Sequence, residues 1–273
     1  MNSQTALTPE DRKLLETNNW RAKKVREAIS DGFQEKDAEL IEDLVSDILD
    51  ANYEVLDVEV PTHVDNDVLP NEDSPAPPSP IIKKGNGETV MLFVGHNKNT
   101  GARAVDGSDE WTTRNKVAVR AAELLNQKGY NCIVGYRNGR KGYTSAMREN
   151  GELSKKHKAK VSMELHFNAA NGVAKGAEIL VASTKTANTL GRAFGSRVNK
   201  DYPTYKLRGT KGVRLLKGGR GYGFNRFQPC PSGVYELFFG DTSDWYNHDE
   251  SAEVEKEAWF VVHLIQRFFS YKK

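Results

Sequence analysis

The chain has 273 residues, a hydrophobic share of 38% and a formal net charge of +2, ordinary values for a soluble globular protein. No stretch approaches the roughly 20 apolar residues needed to span a bilayer, and the opening MNSQTALTPEDRK lacks the basic-then-apolar pattern of a secretory signal. The two cysteines, Cys132 and Cys230, form no CxxC pair, so neither a disulfide framework nor a cysteine zinc site is expected, and folding in the cytosol is expected.

The small net charge hides a division. Residues 1–80 hold 7 basic and 19 acidic side chains, and residues 81–273 hold 32 and 18. An acidic front and a basic remainder suggest two units with different partners, the basic one suited to an anionic polymer.

The front opens with Thr8 and Pro9, a helix start, and a rough apolar stripe follows through Leu14, Leu15, Trp20, Val25 and Ile29. Leu40, Ile41, Leu44, Val45, Ile48 and Leu49 recur at spacings of three and four. These patterns predict a small helical region over 1–56, either a targeting module or a hairpin packed on the main domain. PTHVDNDVLPNEDSPAPPSP, rich in proline and acid, predicts an extended linker over 57–87.

From residue 88 strands and helices alternate. TVMLFVG, YNCIVGYR, KVSMELHFNA, KGAEILVAS and GVYELFF read as strands. EWTTRNKVAVRAAELLNQKG, YTSAMRENGELSKKHK, TANTLGRAFGSRVNKD and SAEVEKEAWFVVHLIQRFFSY read as helices. This βαβ order predicts an α/β domain over 88–273, with a mainly parallel sheet flanked by helices on both faces. In such folds the working site lies beyond the carboxyl ends of the strands.

Polar residues of one chemical kind fall at those ends. His96 closes the first strand, His166 closes the third with Asn168 just after it, and Glu236 lies inside the apolar run VYELFF. Glu110 opens the first helix, fourteen residues after His96. Two imidazoles and a carboxylate suit tetrahedral Zn²⁺ with one position left for water, and a further carboxylate can take a proton from that water. Each residue also has a plainer reading. A strand-end histidine is usually just hydrogen-bonded, and Glu110 fits the helix dipole. Glu236 is harder to dismiss, because a charge inside VYELFF needs a partner. Spacing alone leaves the two readings even.

GHNKNTGA, then Glu110 with RNKVAVRAAELLNQKGYNCIVGYR, then LHFNAANGVAKGAE, then VYELFFGD, together resemble the zinc-dependent N-acetylmuramoyl-L-alanine amidases of the type 3 family, which includes autolysins and phage endolysins. The resemblance covers roughly residues 88–270. It implies a six-stranded sheet, zinc held by His96, Glu110 and His166, and Glu236 as the catalytic glutamate. It also implies cleavage of the amide joining the lactyl group of N-acetylmuramic acid to L-alanine in peptidoglycan.

There are departures. The loop after His96 reads NKNTGA where many members carry a Gly-rich, Asp-Pro-containing version. Glu164 stands where an apolar residue is expected. It lies two before His166 on the same strand face, so it is either a partner orienting a ligand or part of a structural ion pair, with the ion pair favoured. The asparagine common after the catalytic glutamate is missing, leaving Asp241 and Asp244. Glu178 is expected to be structural or substrate-facing rather than a ligand.

The basic segment 206–227, KLRGTKGVRLLKGGRGYGFNRF, is either a cleft lining for anionic glycopeptide or a solvated loop. Substrate contacts are expected from Asn168, Arg214 and Arg220. Nucleic-acid binding, which its GGRGYGF core also suggests, ranks well below. The competing functions are another zinc amidohydrolase or carboxypeptidase and an inactive wall-binding protein. The setting expected is that of a phage endolysin, made in the host cytoplasm and acting on the wall after release, with no integral membrane association.

Overall fold

A computed structural model describes residues 77–79, 81–83, 87–98, 100–170, 172–219, 221–245 and 251–271. The expected N-terminal helices and most of the expected linker lie outside these residues. The elements below belong to one compact unit, Leu69–Lys217 with Gly221–Lys273.

Six strands between Thr89 and Phe239 form the expected mainly parallel sheet: β2 (Thr89–Val94), β3 (Asn131–Tyr136), β4 (Val161–Asn168), β5 (Glu178–Val181), β6 (Val213–Leu215) and β7 (Ser232–Phe239). A seventh, β1 (Ile81–Lys83), adds antiparallel to β3 at one edge, so the sheet recruits a strand from within the expected linker. The order is β1-β3-β2-β4-β7-β5-β6. β2 pairs in parallel with β3 and β4, β4 with β7 and β5 with β6, while β5 runs antiparallel to β7. The central strands are apolar on both faces because helices cover both.

One face carries Val90, Leu92, Val94, Met163, Leu165, Phe167, Tyr235 and Leu237, all buried. Against it lie α1 (Glu110–Gln127), α3 (Arg192–Asp201) and α5 (Ser251–Ser270). α1 begins where Asp109 accepts a hydrogen bond from Thr112 N at 2.9 Å, satisfying one of the helix's open N–H groups. Ala118, Ala121 and Ala122 keep its inner side small and let it approach the strands closely. One turn in, Arg114 is buried, 5.0 Å above the Phe238 ring and ion-paired to Glu257 of α5. Glu257 also accepts the Tyr235 hydroxyl at 2.8 Å, so a single carboxylate ties α1, β7 and α5 together.

The other face carries Met91, Phe93, Ile133, Leu180 and Val234 under α2 (Tyr143–Lys156) and α4 (Tyr222–Phe227). Burying each such side chain is worth about 1.5–3 kcal/mol. These apolar residues occupy the early part of the strands. Along the same face, toward the carboxyl ends, the side chains become polar.

The region expected as one helix from 184 begins as a single turn, Thr184–Thr186, widens into a π-helical turn over Ala187–Gly191 and continues as α3. None of the described helices is long and apolar enough to cross a membrane.

Candidate active site

The parallel register sets His166 of β4 directly beside Glu236 of β7, and the antiparallel register sets Glu178 of β5 on the other side of Glu236. Paired residues point to the same side of a sheet. Three polar side chains therefore stand in a row across adjacent strands, all buried. Between His166 and Asn168 the β4–β7 register shifts by one residue, which pairs Asn168 with Phe239.

Next to His166, on β2's side, comes Gly95, whose N–H donates to Leu165 O at 3.1 Å. A Cβ there would lie 2.4–2.6 Å from the His166 ring, so this position must be glycine for the imidazole to lie where it does. The following residue, His96, adopts a left-handed backbone with φ of 62°, at a cost of order 1 kcal/mol for a non-glycine residue. That turn aims its ring at the start of α1. Gly101 closes the loop from the far side, and a Cβ there would meet the His96 ring at 2.7 Å.

Glu110 receives both rings. His96 Nε2 lies 3.1 Å from Glu110 Oε2, and His166 Nδ1 lies 3.0 Å from Glu110 Oε1. The two rings meet edge to face, with centroids 4.7 Å apart. Backbone N–H groups hold the carboxylate in place, Ala102 donating to Oε2 at 3.0 Å and Phe167 to Oε1 at 2.8 Å. One ligand-type atom from each of His96, Glu110 and His166 lies within 4.8 Å of the others, and all three residues are buried. This donor set fits Zn²⁺, which accepts imidazole nitrogen and carboxylate oxygen in tetrahedral sites.

Burial alone would raise the Glu110 carboxyl. The positive charge of His96 and the hydrogen bonds from both histidines outweigh it and hold the carboxyl well below its ordinary value. Burial would lower His166, but hydrogen bonds to Glu110 and Glu164 raise it instead.

Glu164 meets both of the readings offered for it. Its Oε2 lies 3.3 Å from His166 Nε2, while Oε1 is 3.9 Å from Arg137 Nη2, a longer contact. The carboxylate therefore faces the ring nitrogen that points away from Glu110, the place where an orienting partner of a metal-binding histidine sits. The ion pair with Arg137 exists, but it is the weaker of the two contacts.

The expected substrate residues fare unevenly. Asn168 is buried and donates Nδ2 to Glu178 Oε1 at 2.9 Å. Arg214 lies on β6, with Nε 3.2 Å from Glu178 Oε2. Arg220 lies outside the described residues. Asp241 and Asp244 cap backbone N–H groups of the loop after β4, at Ala170, Gly172 and Gly176. Sequence reading gave Gly95 and Arg137 no role and placed Arg208 only within the basic segment 206–227. A glycine directly before a strand-end histidine was the available signal for the first. The other two meet partners 27 and 30 residues away, which only the sheet register reveals.

An α/β sheet with a buried His–Glu–His group at its strand ends and a separate buried glutamate beside it is an arrangement suited to a hydrolase. The family model for N-acetylmuramoyl-L-alanine amidase matches residues 90–240, more than half of the chain, and the protein belongs to that family. It is an N-acetylmuramoyl-L-alanine amidase, acting on peptidoglycan.

Three solved structures share the fold. The amidase Ami1 from Mycobacterium smegmatis is 14% identical with a TM-score of 0.58, over 69% of this chain and 100% of its own. An N-acetylmuramoyl-L-alanine amidase of Nostoc punctiforme is 18% identical with a TM-score of 0.56, over 68% and 99%. The catalytic domain of an endolysin targeting Clostridia difficile is 21% identical with a TM-score of 0.55, over 66% and 98%. Among curated proteins none matches this chain.

Proposed function

We propose that the enzyme is zinc-dependent, with His96, Glu110 and His166 holding the ion and Glu236 serving as general base and acid. The convergence of both histidines on one buried carboxylate carries this reading. Bound there, zinc would polarise the lactyl carbonyl and lower the pKa of water toward about 7. Glu236 stands beside His166 in the sheet, within the same polar row, where it takes a proton from the attacking water. The same carboxyl then delivers that proton to the departing alanine amine. The backbone N–H groups at Ala102 and Phe167 keep Glu110 oriented throughout, and Glu164 keeps the His166 ring from turning.

Mass spectrometry of digested peptidoglycan, with and without a zinc chelator, tests this. The expected products are stem peptides with new free L-alanine amino groups, no new reducing sugar ends, and complete loss under chelation. Activity that survives exhaustive chelation would remove the metal from the mechanism.

The biological setting we propose is lytic, as for a phage endolysin held in the cytoplasm until the membrane opens. One similar fold belongs to the catalytic domain of an endolysin. Cells making the protein should keep growing until their membrane is permeabilised, then lyse. Lysis without permeabilisation would overturn the setting.

A further inference from the structure

Glu178 is buried beside Glu236 and accepts three side-chain donors. Asn168 Nδ2 lies 2.9 Å from Oε1, Arg208 Nε 3.0 Å from Oε1, and Arg214 Nε 3.2 Å from Oε2. One carboxylate thus carries two guanidinium groups, leaving a surplus positive charge. Both arginines use Nε on Glu178, so their Nη groups remain for other work. Arg208 is further fixed over the Phe239 ring, 4.8 Å from its centroid, and its Nη1 makes only a long 3.5 Å contact with Lys175 O. The Arg214 side chain is 42% exposed. Two guanidiniums anchored through Nε on one buried carboxylate, one of them 42% exposed, form a preorganised fork for a planar anion.

The position of this fork narrows the anion. β5 lies two strands from β4, so Glu178 is roughly 10 Å from His166 across the sheet. On the sugar side of the scissile amide the glycan is neutral, because the lactyl carboxyl is itself in the amide. On the peptide side the second stem residue is a glutamate joined through its side chain, and its α-carboxylate is the first anion reached. Five backbone bonds separate that carboxylate carbon from the scissile nitrogen. An extended chain covers about 3.3–3.6 Å per residue, and the two arginine side chains bridge the remainder.

We propose that Arg208 and Arg214, held by Glu178, bind the free α-carboxylate of the second stem residue and make the enzyme selective for walls in which that group is not amidated. This rests on the amidase reading above and names a specificity site within it. A carboxamide in place of the carboxylate loses the charge and leaves one guanidinium N–H facing an amide N–H.

Two measurements on the zinc-loaded full chain test it. The first compares kcat/KM on N-acetylmuramoyl-L-alanyl-D-glutamate blocked as its γ-methylamide with that on the same compound carrying an α-amide. The second compares, by titration calorimetry, the binding of the dipeptide L-alanyl-D-glutamate γ-methylamide and its α-amide, with no turnover needed. The acid form should be preferred at least tenfold in both, and the preference should fall to within twofold in Arg214→Gln and in Arg208→Gln. Arg214 is the surface-proximal member, so its variant folds even if the other does not. Equal handling of acid and amide by the parent protein, no detectable dipeptide binding, or a preference unchanged in both variants would overturn the proposal. If neither muramoyl substrate is cut while the acid dipeptide still binds tenfold better, the carboxylate site stands and the amidase mechanism falls. If both are cut equally, the reverse holds.

Discussion

At the scale of single residues, the site depends as much on missing atoms as on present ones. Glu236→Ala should keep full zinc and lose about 10²–10⁴ in kcat, the usual contribution of a general base. His166→Ala should lose both, because it removes a ligand. Metal content by atomic absorption beside a turnover assay separates the two, and a zinc-replete His166→Ala protein would sink the ligand assignment. Gly95→Ala offers a subtler test, since the added methyl would press on the His166 ring from under 3 Å. The ring can yield by swinging away from Glu110, so the expected result is a folded protein with at least tenfold weaker zinc binding. A chelator competition titration reads this directly, and unchanged affinity would mean that the ring position is not needed.

At the scale of elements, α1 delivers Glu110 from its first turn and is pinned one turn later by Arg114. Removing one member of a buried ion pair strands the other, at about 3–5 kcal/mol. Glu257→Gln should therefore lower stability by that order in urea unfolding, while Arg120→Gln, whose pair with Glu255 is screened by solvent, should change it far less. The elements also show what the sequence could reveal. β2, β4 and β7 were legible because burial on both faces gives unbroken apolar runs, and their polar strand-end residues stood out against them. β6 was not, because VRL sits at the sheet edge with partly exposed side chains and leaves no apolar run among its lysines and arginines. β1 was hidden in the same way, as a three-residue edge strand following a proline-rich stretch. The fork on Glu178 was illegible for a different reason. Its members come from β4, β5, the β5–β6 connection and β6, and pairing across strands has no local signature.

At the scale of the whole molecule, zinc binding and stability should respond to pH in opposite ways. In metal-free protein the raised His166 contributes stability that is complete below its usual value of 6.5 and is lost as pH climbs through the raised one. The depressed Glu110 contributes above its usual 4.5 and loses this only as pH falls through its lower value. These contacts are therefore strongest between those two usual values. Zinc requires His166 neutral, so proton competition weakens binding already above the ordinary histidine range. The gain in melting temperature on adding zinc should grow steadily from pH 6 to pH 8. Curves with and without zinc that stay parallel over this range would contradict that account.

The row Gly95, His166, Glu236 and Glu178 has one more implication, for how such a site can change over time. His166, Glu236 and Glu178 sit on adjacent strands with Gly95 just past the end of β2, and the spacing between members is the interstrand hydrogen-bonding distance. Loops beyond these strands can lengthen, shorten or change composition without moving His166, Glu236 and Glu178 relative to one another, whereas the loop after β2 carries His96 itself and Gly101, which packs on its ring. Variation in this enzyme is therefore free to alter what approaches the row and where the chain reaches beyond it, while the distances that govern the chemistry are set by the sheet itself.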